Sequence, residues 1–558
     1  MTRRVVIRRN RYFDSVFLMQ VAKRMAGQPG ILNAFAVLGT EANRRLLADL
    51  GYGAKRRDAG LTGLTTVETA ATDAATEGLA TAGPNDLVLA LEGEEAAVAA
   101  VASDPDAWLL RDPGSSSGPG GAVHEPRSLE EAVRLRPGCG VAVISVPGEY
   151  AAREAGTAIR RGLNVFLFSS NVSLEDELSL KTEARSRGLI VMGPDCGTAF
   201  LGGAGIGFAN AVRRGPIGII GSTGTGMQEF SSLVHQAGSG ISHGIGTGSR
   251  DLSDTIGGIS TMTAIDALDS DLGTKVIAVL SKPPGAATTA RLMARLRSCR
   301  KPVVICLLGS APAHAADSPP GSPRGEAPAQ NVFSAPTIDT AVAGALQAVG
   351  VTQRAGREYT KESYRKMASP HIAQVKPGQR YLRGLFAGGT FCYQSQVILR
   401  EAGLVLYSNS PLAGVRELVD PRVSRENSLV DMGAEVFVEG RPHPMIDATL
   451  RGQRLLQEGE DPSVALILLD FILGAVSSPD PVGDLREAIR GVQAAARRRG
   501  EHVCIVASVC GTDEDAQGLE AQSSALRDAG ALVFSSSAQA AAFCREAAML
   551  LAERRGTN

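Results

Sequence analysis

The sequence feature that most constrains the fold is a strand, a glycine-rich turn and a helix that occur together twice. The first copy reads Gly218-Ile-Ile-Gly-Ser-Thr-Gly-Thr-Gly and its helix closes at Gly238, while the second reads Gly384-Leu-Phe-Ala-Gly-Gly-Thr and closes at Gly403. Two more apolar strands follow each copy in the same order, namely Val276–Leu280 and Val303–Leu308, then Val464–Leu469 and Val503–Ser508. This repeat predicts two flavodoxin-like parallel sheets that face each other.

Strands alternate with helices in the other segments as well, so we predict an α/β protein of four domains. The first is a small α+β module over residues 1–105, and the second is a truncated Rossmann-like βαβ domain over 125–212. The two flavodoxin-like domains occupy 215–350 and 380–553. A low-complexity insert at 311–330, rich in Pro, Ala, Gly and Ser, interrupts the third domain, and a flexible break is predicted at 112–122.

Composition excludes several classes of function. Lys and Arg total 57 against 58 for Asp and Glu, so the net charge of −1 provides no overall basic surface for nucleic acid. Aromatic residues make up only 4%, which disfavours base-stacking platforms. The eight cysteines form no Cys-x-x-Cys pair, so we predict no metal site, and no run of 18 apolar residues predicts a membrane span. We therefore expect a cytoplasmic protein with a small-molecule ligand.

The first glycine-rich turn is the strongest candidate for a binding site. It lies between the strand Ile217–Ile220 and the helix Met227–Gln236. Backbone N–H groups in the first turn of a helix have no internal partner, and with the helix dipole they attract anions. The candidate ligands of a phosphate or carboxylate are Gly221, Ser222, Thr223, Gly224, Thr225 and Gly226. The alternative is that these glycines only let the helix pack closely on the strand.

The second turn has the same placement in its own copy. Its candidate anion ligands are Gly388, Gly389 and Thr390. If both turns bind, they can hold one phosphate or carboxylate between two helix N-termini. The alternative is that duplication copied the scaffold and that only one turn functions.

Charged residues follow two strands of the first flavodoxin-like domain, at the edge where open αβ sheets bind ligands. Arg250 and Lys282 are candidates for fixing an anionic substrate. A competing interpretation pairs Arg250 with Asp251 or Asp254 in an ion pair. In the same predicted loop, His243 is either a general base or a hydrogen-bonded structural residue.

Two turns elsewhere hold further candidates. Cys196 lies in the turn Gly193-Pro-Asp-Cys-Gly, where it is either a thiol at the rim of a pocket or, as we favour, structural. His443 lies between two prolines and is followed by Asp447. The prolines hold the histidine stiffly, either for contact with a substrate or partner or simply as a rigid turn.

Long strings of the sequence resemble the FdrA family, within the succinyl-CoA synthetase superfamily. They are MGPDCGTAF (192–200), GIIGSTGTGMQE (218–229), GIGTGSRDLSD (244–254), GGIS (257–260), SKPPG (281–285), KPVV (301–304) and GRPHPMIDATLR (440–451). The resemblance implies that residues 125–212 are a domain of the CoA-binding type. It further implies that 215–350 and 380–553 correspond to the ligase domains of the synthetase alpha and beta subunits, with Asp431–Gly433 as a DxG turn.

Three departures from the synthetases bear on the reaction. The phosphorylated histidine loop of the GHAGA type is not present, although His314 lies near its place in the insert. No ATP-grasp domain is visible, and no glycine-rich turn for the CoA pyrophosphate occurs in residues 1–140. A complete ATP-dependent ligase within this one chain is therefore not expected.

For function, the resemblance implies a subunit that works with other protein subunits in allantoin and purine nitrogen catabolism. The expected reaction is transfer of a carbamoyl group between carbamoyl phosphate and oxamate. One alternative is a CoA-binding acyl-CoA synthetase that works with a separate ATP-grasp partner. The other is a non-catalytic scaffold that kept the fold and lost the chemistry.

Overall fold

A computed structural model describes residues 2–11, 13, 15–52, 79, 81–109, 126, 128–310, 331–352, 359–438 and 442–556. The chain forms two compact units, one of Met1–Arg127 with Glu439–Pro442 and one of Ser128–Val438 with His443–Asn558. The predicted break at 112–122 and the predicted insert at 311–330, with His314, lie outside the described residues. None of the helices described there is long and apolar enough to cross a membrane.

The first unit contains a three-stranded antiparallel sheet of order β1-β3-β2. Its elements are β1 (Thr2–Arg8), α1 (Ser15–Ala26), β2 (Ile31–Leu38), α2 (Glu41–Leu47), β3 (Leu87–Gly93) and α3 (Glu95–Ser103). Side chains alternate across the central strand, so Leu87 and Leu89 pack into one apolar cluster and Val88 and Ala90 into another. The prediction of a small α+β module is confirmed.

The second unit begins with a three-stranded parallel sheet of order β4-β5-β6. Its elements are α4 (Leu129–Leu135), β4 (Val141–Ile144), α5 (Gly148–Arg160), β5 (Asn164–Leu167), α6 (Leu174–Ser186) and β6 (Val191–Met192). Ser128 and Ser173 cap helices α4 and α6, each accepting a backbone N–H with its side chain. The parallel βαβαβ arrangement is the predicted truncated Rossmann-like fold.

A seven-stranded sheet of order β13-β12-β11-β9-β10-β7-β8 follows. Its strands are β7 (Thr198–Leu201), β8 (Ala204–Gly207), β9 (Arg214–Gly221), β10 (Ile241–Gly246), β11 (Val276–Ser281), β12 (Val303–Leu307) and β13 (Val332–Ser334). Its helices are α7 (Gly224–Gln236), α8 (Ile259–Ser270), α9 (Ala286–Arg297) and α10 (Ile338–Ala348). The hairpin β7–β8 lies within the predicted second domain by sequence, yet it pairs antiparallel with β10 and so extends this sheet.

The last sheet has seven parallel strands in the order β16-β15-β17-β14-β18-β19-β20. They are β14 (Tyr381–Phe386), β15 (Leu406–Ser408), β16 (Arg416–Glu417), β17 (Asn427–Asp431), β18 (Val464–Ile472), β19 (Cys504–Cys510) and β20 (Leu532–Phe534). Its helices are α11 (Lys361–Ile372), α12 (Gly389–Arg400), α13 (Glu435–Val438), α14 (Thr449–Glu460), α15 (Pro481–Arg498), α16 (Leu519–Asp528) and α17 (Ser537–Gly556).

The two large sheets share one topology, which confirms the predicted flavodoxin-like repeat. In each sheet, the strand before the glycine-rich turn is central. Strand β9 lies between β10 and β11, and β14 lies in the same way between β17 and β18. Strand order reverses at this point, and open αβ sheets bind ligands in the crevice at the carboxyl ends of the strands there. Both glycine-rich turns therefore occupy the edge of their sheet at which a ligand is expected.

Candidate functional site

The two glycine-rich turns meet. The hydroxyl of Thr223, which precedes α7, is hydrogen-bonded to the hydroxyl of Thr390 in the first turn of α12. A Cβ atom built on Gly226 would lie 3.2 Å from Cγ2 of Thr390, so the two helix N-termini are in van der Waals proximity. The structure thus brings together the two turns that the sequence identified separately.

In the first turn, part of the donor set is already used. The Thr223 hydroxyl caps α7 by accepting the N–H of Gly226 at 3.3 Å. The backbone N–H of Ser222 donates to the carbonyl of Leu280 at 3.1 Å, and its hydroxyl bonds that of Ser281 at 2.6 Å. The amides of Gly224 and Thr225 have no acceptor in the described part of the chain, so both can bind an anion.

In the second turn, a buried carboxylate takes the place of an external anion for two amides. Asp470 accepts the N–H groups of Ala387 at 2.8 Å and Gly388 at 2.7 Å, and its charge is paired with Arg451 at 2.6 Å. The prediction that Gly388 binds the ligand is therefore not supported, because its amide is occupied. The amides of Gly389 and Thr390 have no acceptor among the described residues. The Thr390 hydroxyl, which is hydrogen-bonded to that of Thr223, lies at the same helix N-terminus.

Asp431 lies beside the second turn and was not among the site residues expected from the sequence. It ends β17, is only 8% exposed, and accepts the N–H of Gly433 with Oδ1 at 3.0 Å. A Cβ atom on Gly389 would lie 2.6 Å from Oδ2, so this oxygen faces the start of α12. Burial raises the pKa of Asp431 to about 6, against the attraction of Lys282. The signal in the sequence was its position after an apolar strand in the DxG turn.

Lys282 follows β11 and reaches the second flavodoxin-like domain. Its ammonium lies 5.3 Å from the centroid of the Tyr393 ring on α12, a cation–π contact. Within the described residues no carboxylate lies within ion-pairing distance of it. Its side chain is therefore available to an anionic ligand, and its contact with a substrate stays a prediction.

Arg250 has a carboxylate partner that neither interpretation of the sequence named. Its guanidinium lies 2.9 Å from Oε2 of Glu177 and donates to the carbonyl of Val172 at 2.7 Å. Asp251 instead pairs with Lys181 at 2.8 Å, and Asp254 accepts the N–H of Thr288. Arg250 thus stabilises the packing of α6, and its proposed contact with substrate loses support because the charge is already compensated.

His243 does not lie in a loop. Residues Ile241–Gly246 form strand β10, in which His243 pairs with Leu201, and its Nδ1 accepts the N–H of Gly202 at 3.2 Å. The glycine-rich turn lies beyond the carboxyl end of the neighbouring strand, whereas His243 lies in the amino-terminal half of β10. This position favours the structural interpretation over the general base.

Cys196 is a buried thiol. It is 3% exposed, and its Sγ contacts the carbonyl of Thr198 at 3.5 Å. Burial raises the pKa of Cys196 to about 12, so the reactive thiolate does not form near neutral pH. The structural role favoured from the sequence agrees with these surroundings, and a contact with substrate does not.

His443 borders the site. Its Nδ1 accepts the N–H of Met445 at 3.2 Å, and its ring centroid lies 5.8 Å from that of Phe208. A Cβ atom on Gly433 would lie 2.7 Å from Nε2, which places the imidazole beside the DxG turn of Asp431. Burial lowers the pKa of His443 to about 4, so the ring is neutral at physiological pH. The stiff turn therefore positions a neutral imidazole at the edge of the candidate site.

Three family models match the chain. The model described as CoA-ligase matches residues 385–547, and the model described as CoA binding domain matches residues 212–305. The amides of Gly224 and Thr225, which have no acceptor among the described residues, suit phosphate groups such as those of CoA.

The third model, described as AllF, heavy metal-associated domain, matches residues 1–65. That segment contains neither cysteine nor histidine, so its residues do not fit a heavy metal that prefers thiolate or imidazole ligands. In the part of the chain that the structure covers, no group of three His, Cys, Asp or Glu residues is arranged to hold a metal ion.

Among solved structures, the fold is similar to a dinucleotide-forming acetyl-coenzyme A synthetase of Ca. Korarchaeum cryptofilum in complex with phosphate and ADP. The match covers 75% of this chain and 83% of that chain, with 16% identity and a TM-score of 0.27. ATP citrate lyase from Methanothrix soehngenii, in complex with citrate and coenzyme A, matches over 77% and 86% with 13% identity and a TM-score of 0.33.

A relative in sequence covers almost the whole chain. The uncharacterized protein YahF of Escherichia coli (strain K12) is 40% identical over 556 residues, which are 98% of this chain and 98% of that protein. With the matches to the CoA-binding, CoA-ligase and AllF models, this similarity establishes the family. The chain belongs to the FdrA family of succinyl-CoA synthetase-like proteins.

Proposed function

We propose that this chain is the substrate-binding subunit of a transferase that moves a carbamoyl group between carbamoyl phosphate and oxamate. The observation that carries the proposal is the contact between Thr223 and Thr390, which places two helix N-termini at one point. The AllF match of residues 1–65 supports a role in allantoin and purine nitrogen catabolism, with other subunits completing the enzyme.

The phosphate group of carbamoyl phosphate suits the free donors of the paired turns. The amides of Gly224, Thr225, Gly389 and Thr390 lie in the first turns of the two helices and have no internal acceptor among the described residues. Two helix dipoles add their positive ends, and this arrangement favours a dianion. Lys282 then provides the charge that fixes the carboxylate of oxamate.

The reaction needs no covalent intermediate on the protein. The amide nitrogen of oxamate attacks the carbamoyl carbon, a C–N bond forms, and the C–O bond to phosphate breaks. The nitrogen loses one proton, and the phosphate gains one as it leaves as inorganic phosphate. Holding both substrates in place lowers the barrier through proximity, and the fixed N–H groups stabilise the charge that develops on the leaving phosphate. The buried, protonated Cys196 and the missing GHAGA loop agree with a mechanism of this kind.

Calorimetric titration of the whole chain with carbamoyl phosphate tests this proposal. We expect binding that weakens strongly in Gly389→Val, because its side chain would collide with Asp431 and block the second helix N-terminus. Gly378→Val is the matched control, since a Cβ there meets no atom within 4 Å. Unchanged affinity in Gly389→Val would contradict a site formed by both turns.

An acyl-CoA synthetase that works with a separate ATP-grasp chain is the second candidate. It is favoured by the CoA-binding match at 212–305 and the CoA-ligase match at 385–547. A parallel titration with CoA separates the two candidates, because only the synthetase requires CoA affinity. A chain that binds neither ligand, alone or after co-purification with its partners, would be a non-catalytic scaffold.

A further inference from the structure

Asp431 is a buried acid whose free oxygen faces the start of α12. Oδ1 is occupied by the N–H of Gly433, whereas Oδ2 has no donor among the residues that the structure describes. This oxygen lies beside Gly389, whose amide is one of the free donors of the candidate site. An acid in this position is unfavourable for anion binding while it is ionised, because like charges repel at short range.

The groups that face Asp431 come from several elements. Lys282 after β11 attracts its charge, while Asp470 on β18 and Asp195 after β6 repel it. Asp470 is already neutralised by Arg451, and His443 beside the DxG turn is a neutral ring. Burial has the largest effect on this carboxyl group and raises the pKa of Asp431 to about 6. Both protonation states are therefore accessible close to physiological pH.

We propose that Asp431 is the proton donor and acceptor of the site and that it takes up its proton when the anion binds. This inference rests on the proposed function and adds a catalytic residue to it. In carbamoyl transfer to the amide, protonated Asp431 gives its proton to the departing phosphate, and the resulting carboxylate accepts the proton that the attacking nitrogen loses. In the reverse direction, phosphate attacks the carbamoyl carbon, the C–N bond breaks, Asp431 gives its proton to the leaving nitrogen, and its carboxylate then accepts the proton that the phosphate loses.

Sulfate is the probe for the test, because it stays a dianion from pH 5 to pH 8 and its own ionisation does not interfere. We expect the affinity of the wild-type chain for sulfate to fall about tenfold over that range, which corresponds to a rise of about one unit in the pKa of Asp431 on binding. Calorimetry in two buffers of different ionisation enthalpy should show proton uptake by the wild-type protein on binding near pH 7.

Asp431→Asn should bind sulfate without pH dependence and without proton uptake. The matched control is Asp420→Asn, since Asp420 is exposed in the same domain and also accepts a backbone N–H two residues later, from Arg422. This control should behave as the wild type does. In the transferase assay, Asp431→Asn should lose kcat about 10²–10⁴-fold, the usual contribution of general acid–base catalysis, with little change in KM.

The outcomes separate the two proposals. Sulfate binding that is independent of pH in the wild type, or equally pH-dependent in Asp431→Asn, would overturn the role of Asp431 and leave the anion site standing. No sulfate binding by the wild type at any pH would overturn the anion site and the role of Asp431 with it.

Discussion

The side-chain hydroxyls of Thr223 and Thr390 share a hydrogen bond that joins the two copies of the duplicated αβ unit. Each threonine lies at the start of the helix that follows the glycine-rich turn of its own copy. The contact therefore joins the two helix N-termini of the candidate site.

Removing this contact should destabilise the pairing of the two domains. Thr223→Val loses both the inter-domain bond and the cap on Gly226, so we expect it to cost about 1–2 kcal/mol in urea unfolding. Thr390→Val loses only the bond and should cost about 1 kcal/mol. The double variant should cost less than the sum of the two, and strict additivity would contradict a bond between these side chains.

Lys282 should contribute to affinity for the anionic substrate and little to folding. A charged hydrogen bond is worth about 1.5–3 kcal/mol, so Lys282→Gln should bind carbamoyl phosphate or oxamate at least tenfold more weakly. Lys282→Arg should retain part of the affinity, because a guanidinium group carries the same positive charge as the ammonium group but has a different geometry. Lys275→Gln removes an exposed lysine of the same domain, and its titration should match that of the wild type.

Cys196 should be inert in the native protein. Its buried thiol has a pKa of about 12, whereas Cys139 is the one exposed cysteine of the eight, all of which the structure describes. Iodoacetamide followed by peptide mass spectrometry should modify Cys139 quickly and Cys196 only after denaturation. Rapid labelling of Cys196, or loss of activity in Cys196→Ala without a loss of stability, would restore its candidacy as a site residue.

Stability should fall as pH rises because of a buried acid between the two large domains. Glu229 on α7 accepts the hydroxyl of Ser537 at 2.8 Å, and burial next to Asp339 raises the pKa of Glu229 to about 8. The folded protein therefore holds a proton that the unfolded chain releases near pH 4, so this stabilisation is complete below about pH 4 and is lost as pH rises towards 8.

Urea unfolding of the wild type and of Glu229→Gln between pH 5 and pH 8.5 checks this expectation. The difference in unfolding midpoint between the two proteins should shift in favour of the variant as pH increases, since glutamine stays neutral. A difference that does not change with pH would show that Glu229 is ionised in the folded state. Glu435→Gln, an exposed acid of α13, serves as the control.

The sequence by itself determined the local features of this protein. Apolar runs and glycine-closed helices predicted the strands, the repeat and both glycine-rich turns, because these depend on periodicity and on backbone freedom within a few residues. The two sheets were correctly expected to be flavodoxin-like, and Lys282 was correctly placed at the carboxyl edge of its sheet.

Only the tertiary structure decided which distant groups become partners. In the folded chain, Arg250 forms an ion pair with Glu177. The amide of Gly388 donates to Asp470, and Asp431 lies against Gly389. The tertiary structure also drew β7 and β8 into the third sheet and with them placed His243 inside a strand. These pairings depend on burial and on the need to satisfy hydrogen bonds across the whole domain. They join residues far apart in the sequence, so residue spacing along the chain does not predict them.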